Sequence, residues 1–182
     1  RRMSVTTSGL KVSERVQGPA PFITWRARMF KGEIDFTRWF CSELLKCNCF
    51  IQAVVGSEMQ MPGWPDRYVV HRLWRGHLEF KWEGGRTRPA QVDVMRELLK
   101  RGCPAIIVRG FKCGLVRFEN AFDDYYMEFN MENLNKLQGG QVGGYLLNWI
   151  IRYCEKLDFD KFSHMKGRHG EVANRRRKAL EG

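Results

Sequence analysis

The sequence predicts an α/β domain in which helices flank a mixed central β-sheet. Three observations predict it. Apolar residues recur at helical spacing over residues 33–46 and again after Pro89. Runs of strand length, FIQAVV (50–55), a pair within 67–82 and PAIIVRG (104–110), lie between and after them. The chain order helix, strand, strand pair, helix, strand then gives a sheet with helices packed on it.

Each element has a local reason. Residues 1–20 are polar with Gly18 and Pro19 near the end, and read as an N-terminal arm. FITWRA (22–27) has the length of a short edge strand. The first helix, 33–46, carries the stripe Phe36, Phe40, Leu44 and Cys47. FIQAVV is a strand, and GSEMQMPGWP (56–65) is a loop rich in breakers. Residues 67–70 and 77–82 are two strands. Alternation puts Leu78, Phe80 and Trp82 on one face and Glu79 and Lys81 on the other. The second helix runs over 89–101, with Pro89 at a first helical position and Gly102 suited to the C-terminal cap. PAIIVRG is a buried-type strand, and LVRFE (115–119) reads as another. The stretch ENAFDDYYMEFNMENLN from Glu119 is ambiguous, and residues 141–157 suit a further helix. The organisation is therefore an arm (1–20), a core (21–119), a helical extension of the same domain (120–160) and a basic tail (161–182), without internal repeats.

Composition narrows the function classes. A chain of 182 residues suits one domain plus tails, and 43% apolar with 13% aromatic content excludes disorder throughout. No apolar run reaches membrane-span length, and the start RRMSVTTSGLK has no apolar signal core. The six cysteines have no secreted-domain spacing and no CxxC pair, which reads as reduced thiols in an intracellular protein. Zinc on Cys154, His164 and His169 is the sharper alternative, but lacks a fourth ligand at suitable spacing. Thirty-one Lys and Arg against twenty Asp and Glu leave +11 and a pI near 9.7, which suits a nucleic-acid partner. Basic solubility charge is the bland reading. Residues 166–178 hold part of the excess, including Arg175, Arg176 and Arg177. Arg67, Arg72, Arg75, Arg86, Arg88, Lys100, Arg101, Arg109, Lys112 and Arg117 spread the rest through the core.

Polar residues also occupy inward positions. Gln91 shares a helix face with Met95 and Leu98, and Glu33 leads the Phe36, Phe40, Leu44 stripe. Each has an innocent reading: Glu33 favours the positive end of a helix, and Gln91 ties down a loop. Whether they meet Asp66 and Glu79 depends on the strand register. A tight turn at Arg75 and Gly76 would pair Glu79 with Arg72 and leave Asp66 on the order of 20 Å away. If all of 71–76 is loop, Val70 pairs with His77, Asp66 faces Lys81, and Glu79 is a diagonal neighbour. Convergence requires the longer loop.

Pro65-Asp66, a spacer of twelve residues and Glu79-Phe80-Lys81 give the pattern of the PD-(D/E)xK nucleases. The continuation EFKWEGGRTRPAQVDVMRELLKRGCPAIIVRG (79–110) resembles their VRR-NUC branch: a Gly-containing loop, a helix opening P-x-Q, a Gly after it and an apolar strand. Glu33 opens a helix ahead of the PD strand as in that branch, while its V-R-R element is here Val108-Arg109-Gly110. The resemblance covers about residues 33–110. It implies a restriction-endonuclease-like core that cleaves DNA, branched (a Holliday junction or flap) or duplex, as a homodimer on a two-fold junction. It implies Mg²⁺ or Mn²⁺ on Asp66, Glu79 and the Phe80 backbone carbonyl, with Glu33 bound directly or through water and Glu43 as the runner-up helix acid. Lys81 would orient the nucleophile and offset transition-state charge, with Gln91 positioning it. Arg67, Arg86, Arg88, Arg109, Arg175, Arg176 and Arg177 would neutralise phosphates. No small-molecule cofactor and no membrane are implied. Two other classes stay open: a nuclease fold that binds nucleic acid without turnover, and an assembly protein docking through FDDYYMEF (122–129).

Overall fold

Seven strand-forming runs join one mixed sheet in the order β1-β7-β6-β5-β4-β3-β2. They are β1 (Val12–Arg15), β2 (Phe50–Ala53), β3 (Arg67–His71), β4 (Trp74–Trp82), β5 (Ala105–Gly110), β6 (Leu115–Glu119) and β7 (Tyr125–Asn130). The helices are α1 (Glu33–Leu45), α2 (Pro89–Lys100), α3 (Gln141–Glu155) and α4 (Phe159–Ser163). The computed structural model describes residues 30–54, 62–137 and 140–164, and the backbone of 12–15. β4 and β5 are parallel, with α2 in the connection between them, and β1 runs parallel to β7. The other pairs are antiparallel. The expected mixed α/β sheet with flanking helices is what forms.

The period-two pattern decides which face is core. Leu78, Phe80, Ile106, Val108, Val116, Phe118, Met127 and Phe129 are all buried. Phe36 and Phe40 of α1 meet Phe80 edge to face at 6.0 and 5.4 Å, and Trp149 of α3 packs tilted on Phe129 at 5.2 Å. Each such ring contributes roughly 1.5–3 kcal/mol on burial. α1 and α3 meet backbone to side, because a methyl at Gly143 would lie 2.0 Å from the Glu43 carbonyl oxygen. α2 covers part of the opposite face, burying Met95 and Leu99, and α4 packs beside it.

Three segments differ from the sequence reading. The middle of the ambiguous stretch is a strand: in YYMEFN, Met127 and Phe129 enter the core while Tyr126 and Glu128 take the other face. The expected helical extension therefore begins with a sheet strand, and its helices follow. Val12–Arg15, expected within an arm, pairs with β7, a run of four residues being too short to show alternation. β4 starts at Trp74, not at residue 77, and the β3–β4 turn is Arg72 and Leu73. Gly76 reads as a turn residue but lies inside β4, where a methyl would meet the Trp74 ring at 2.6 Å and the Pro104 carbonyl oxygen at 2.7 Å. A strand glycine can mark close approach instead of a turn. The expected strand at 22–27 lies outside the described residues.

Candidate active site

The β3–β4 ladder ends at the pair Arg67 and Leu78, and the next row holds Asp66 opposite Glu79. Neither register expected from the sequence is present. The hairpin is tight, but its turn sits three residues earlier than Arg75 and Gly76, and that brings the two acids face to face. The Asp66 N–H donates to Glu79 Oε2 at 3.1 Å, and the Phe80 N–H donates to Asp66 Oδ2 at 2.9 Å. Side chains thus take the place of ladder bonds where β3 and β4 part. His77 N donates to the Pro104 carbonyl and Glu83 N to the Gly110 carbonyl, so odd-numbered residues of β4 turn their backbone groups to β5. Alternation then turns the carbonyl of Phe80 to the β3 side, beyond the first residue of β3.

The loop before Asp66 is held from two directions. Gly63 has φ +105°, and a methyl there would lie 2.4 Å from the Ala90 carbonyl oxygen, so the loop rests on the first turn of α2. The Asp66 carbonyl accepts from Val54 N at 3.0 Å and from Arg67 Nη1 at 2.8 Å.

Glu79 is fully buried. Its Oε1 accepts from Lys81 Nζ at 2.5 Å and from Gln91 Nε2 at 2.7 Å. Burial pushes its carboxyl above the usual range, while the hydrogen bond from Lys81 pulls it down. Gln91 Oε1 accepts from Arg88 N at 3.1 Å, so one amide closes the start of α2 and holds Glu79. The loop-tying expectation for Gln91 is met by the Arg88 bond, and the same side chain also contacts Glu79.

The remaining sequence candidates separate. Glu33 Oε2 and Lys81 Cδ both come within 4 Å of the point a Gly85 side chain would occupy, placing Glu33 on the Lys81 side of the site. Among the described residues no three His, Cys, Asp or Glu side chains form a metal-binding group, so Glu33 does not close a three-acid cluster with Asp66 and Glu79. Glu43 is buried where α1 meets α3, with Oε1 bound to Lys46 at 2.8 Å and Oε2 without a partner among the described residues. The runner-up helix acid is therefore a residue of the helix–helix contact.

Arg109 is not a free phosphate contact. It grips Glu119 through Nε at 3.0 Å and Nη2 at 3.1 Å, and its Nη1 donates to the carbonyls of Glu83 and Gly85 at 3.0 and 2.6 Å. Arg67 is half-buried, holding the Asp66 carbonyl and meeting Cys41 of α1. Arg86 and Arg88 are exposed on the loop between β4 and α2. Arg175, Arg176, Arg177 and His169 lie outside the described residues. The zinc alternative gains nothing: the Cys154 thiol accepts from Trp74 Nε1 at 3.2 Å, and burial pushes it up to about 12.

Sequence reasoning missed His77, which sits on the Glu79 face of β4 between Trp64 and Tyr68, with ring centroids at 5.4 and 4.9 Å. It is buried, its Nδ1 has no partner among the described residues, and burial lowers its pKa below the usual range. The spacing His77, Glu79, Lys81 was the available signal.

No family model matches the chain, and no curated protein matches it. Among solved structures, the chain is similar to Hjc of Archaeoglobus fulgidus, a Holliday junction resolvase from an archaeal hyperthermophile. The identity is 15% and the TM-score 0.40, covering 61% of this chain and 99% of that one.

Proposed function

We propose that this protein is a divalent-metal-dependent nuclease of the PD-(D/E)xK type that hydrolyses phosphodiester bonds in DNA, branched DNA foremost. One observation carries the reading: Asp66, Glu79, Lys81 and Gln91, scattered over 26 positions of sequence, share one hydrogen-bonded site where β3 and β4 part. The finer assignment to the VRR-NUC branch rests on the 79–110 motif.

The donor set fits a hard cation. Asp66 Oδ1 accepts no hydrogen bond among the described residues, and the two Glu79 oxygens accept three of the about four they can take. Asp66, Glu79 and the Phe80 carbonyl would hold Mg²⁺ or Mn²⁺ with waters completing the shell. A bound ion of this kind supplies a Lewis acid for the phosphate and lowers the pKa of an attacking water. Lys81, fixed on Glu79, presents positive charge to the developing phosphorane, and Gln91 keeps the Glu79 carboxylate oriented. Glu33 would reach the ion from the Lys81 side, directly or through water. Arg86 and Arg88 neutralise flanking phosphates.

The test is incubation with labelled junction, flap, duplex and single-stranded DNAs with Mg²⁺ or Mn²⁺. Cleavage that needs the ion and is lost in Asp66→Ala, Glu79→Ala and Lys81→Ala is the expected result. Near wild-type turnover in any of the three removes that residue from the site. The missing three-acid cluster among the described residues favours a second reading, a nuclease fold that binds DNA without cutting it. Tight binding with no cleavage under either ion would select it.

A further inference from the structure

A groove of about 570 Å³ lies on the Glu79 face of the sheet, beside the site but separate from it. It is lined by residues 83–87, by Ile107 and Arg109 of β5, by Arg117 and Glu119 of β6, and by Phe111 and Asp123. Arg109 of this groove is the register partner of Lys81, one strand away. Neighbouring strands lie ~4.8 Å apart, less than the length of one extended nucleotide, so the groove opens directly beside the site. The groove has the volume of a small-ligand site, whose usual range is about 300–1,000 Å³.

Its charges do not select an anion. Arg86, Arg109 and Arg117 are balanced by Glu83, Glu119 and Asp123 along the same lining. Arg109 is spent on Glu119, and Arg117 bonds Glu128 at 3.0 Å. A phosphate in the groove would face Glu119, already paired with Arg109, and the carboxylates of Glu83 and Asp123. A flat neutral group with donors and acceptors at its edge suits the groove better. The Arg117 guanidinium lies over Tyr126 at 4.5 Å and over Phe111 at 5.2 Å, giving a preformed stack of planar groups. Stacking of this kind tolerates any base.

We propose that this groove receives an unpaired nucleobase one or two nucleotides from the cleaved phosphate, with Phe111 as the stacking residue. The proposal rests on the nuclease reading, and it gives the substrate a defining feature: a base free to leave its stack at a branch point. The phosphate of that nucleotide stays at the rim, beside Arg86.

The test measures binding in EDTA, so no turnover is required. Three labelled DNAs are compared: a full duplex, a branched DNA with one unpaired nucleotide, and the same branch with an abasic site there. The abasic branch keeps every phosphate and loses only the base. It should bind about tenfold more weakly than the intact branch, within the range of one stacked base. Phe111→Leu should lose a similar factor on the intact branch only, and Phe111→Tyr should restore it. Thermal unfolding of each variant checks that the fold survives, and both keep the bulk of the side chain. Equal affinity for intact and abasic branches, or equal losses on every DNA in Phe111→Leu, overturns the proposal. Absence of metal-dependent cleavage would sink the nuclease reading, while this comparison would still report on the groove.

Discussion

Gly63→Ala tests whether the seating of one loop on α2 is what places Asp66. At φ +105° a side chain is strained, which costs about 1–3 kcal/mol. The new methyl would also lie 2.4 Å from the Ala90 carbonyl oxygen, so the loop must retreat by about 1 Å, a further 1–3 kcal/mol of overpacking. The sum, roughly 2–6 kcal/mol, is a large share of the 5–15 kcal/mol that holds a domain together. At about 2–4 °C per kcal/mol, the melting temperature should fall by roughly 4–24 °C. Gly143→Ala is the control, because its methyl would lie 2.0 Å from the Glu43 carbonyl oxygen in the α1–α3 contact, away from Asp66. Both proteins are assayed below their melting transitions for unfolding by circular dichroism and for metal-dependent cleavage. Gly63→Ala should lose about 100-fold in turnover, since displacements of about 1 Å at a reacting centre cost that much. Gly143→Ala should lose stability while keeping turnover near wild type. If the two variants lose activity in equal measure, the loop–helix contact does not position Asp66 and the reasoning fails.

Other consequences can be checked with the same material. Wild-type stability should fall as pH drops through about 6.5, because burial makes His77 in the folded chain hold its proton less readily than an ordinary histidine, which titrates near 6.5. The contribution is present above 6.5 and is lost as pH falls towards the lowered folded value; His77→Phe, which keeps the ring stack, should flatten that slope in thermal melts. Arg109→Ala should destabilise by about 3 kcal/mol in urea unfolding, since it leaves Glu119 only the longer Arg117 contact at 3.8 Å and frees the carbonyls of Glu83 and Gly85; a change within error would make that contact idle. Glu33→Ala should reduce cleavage more than Glu43→Ala, whose loss should be one of stability; the reverse order would return the catalytic role to Glu43. Truncation after His164, which spares the buried Phe162, should flatten the plot of log affinity against log salt by removing the Lys and Arg of residues 166–178. An unchanged slope would take the tail out of DNA binding.

The residues by themselves determined the helix faces, the strand alternation and the inward position of Gln91. Each follows from a spacing rule that acts over a few residues: Phe36, Phe40 and Leu44 on α1, or Leu78 and Phe80 against Glu79 and Lys81. Register is different, because the side-chain period of two is satisfied by many pairings and the turn selects among them. Here Gly76 imitated a turn, and only the approach of Trp74 and Pro104 reveals why that position carries no side chain. Tertiary structure alone therefore put Asp66 opposite Glu79. It also turned Arg109 from a presumed phosphate contact into the clamp on residues 83–85, and sent Glu43 to the α3 contact while Glu33 went to Lys81. A charged side chain is the same letter whether it meets solvent or a partner 10 or 26 residues away. Which it meets is fixed by packing between elements, and the sequence encodes that only through the whole fold.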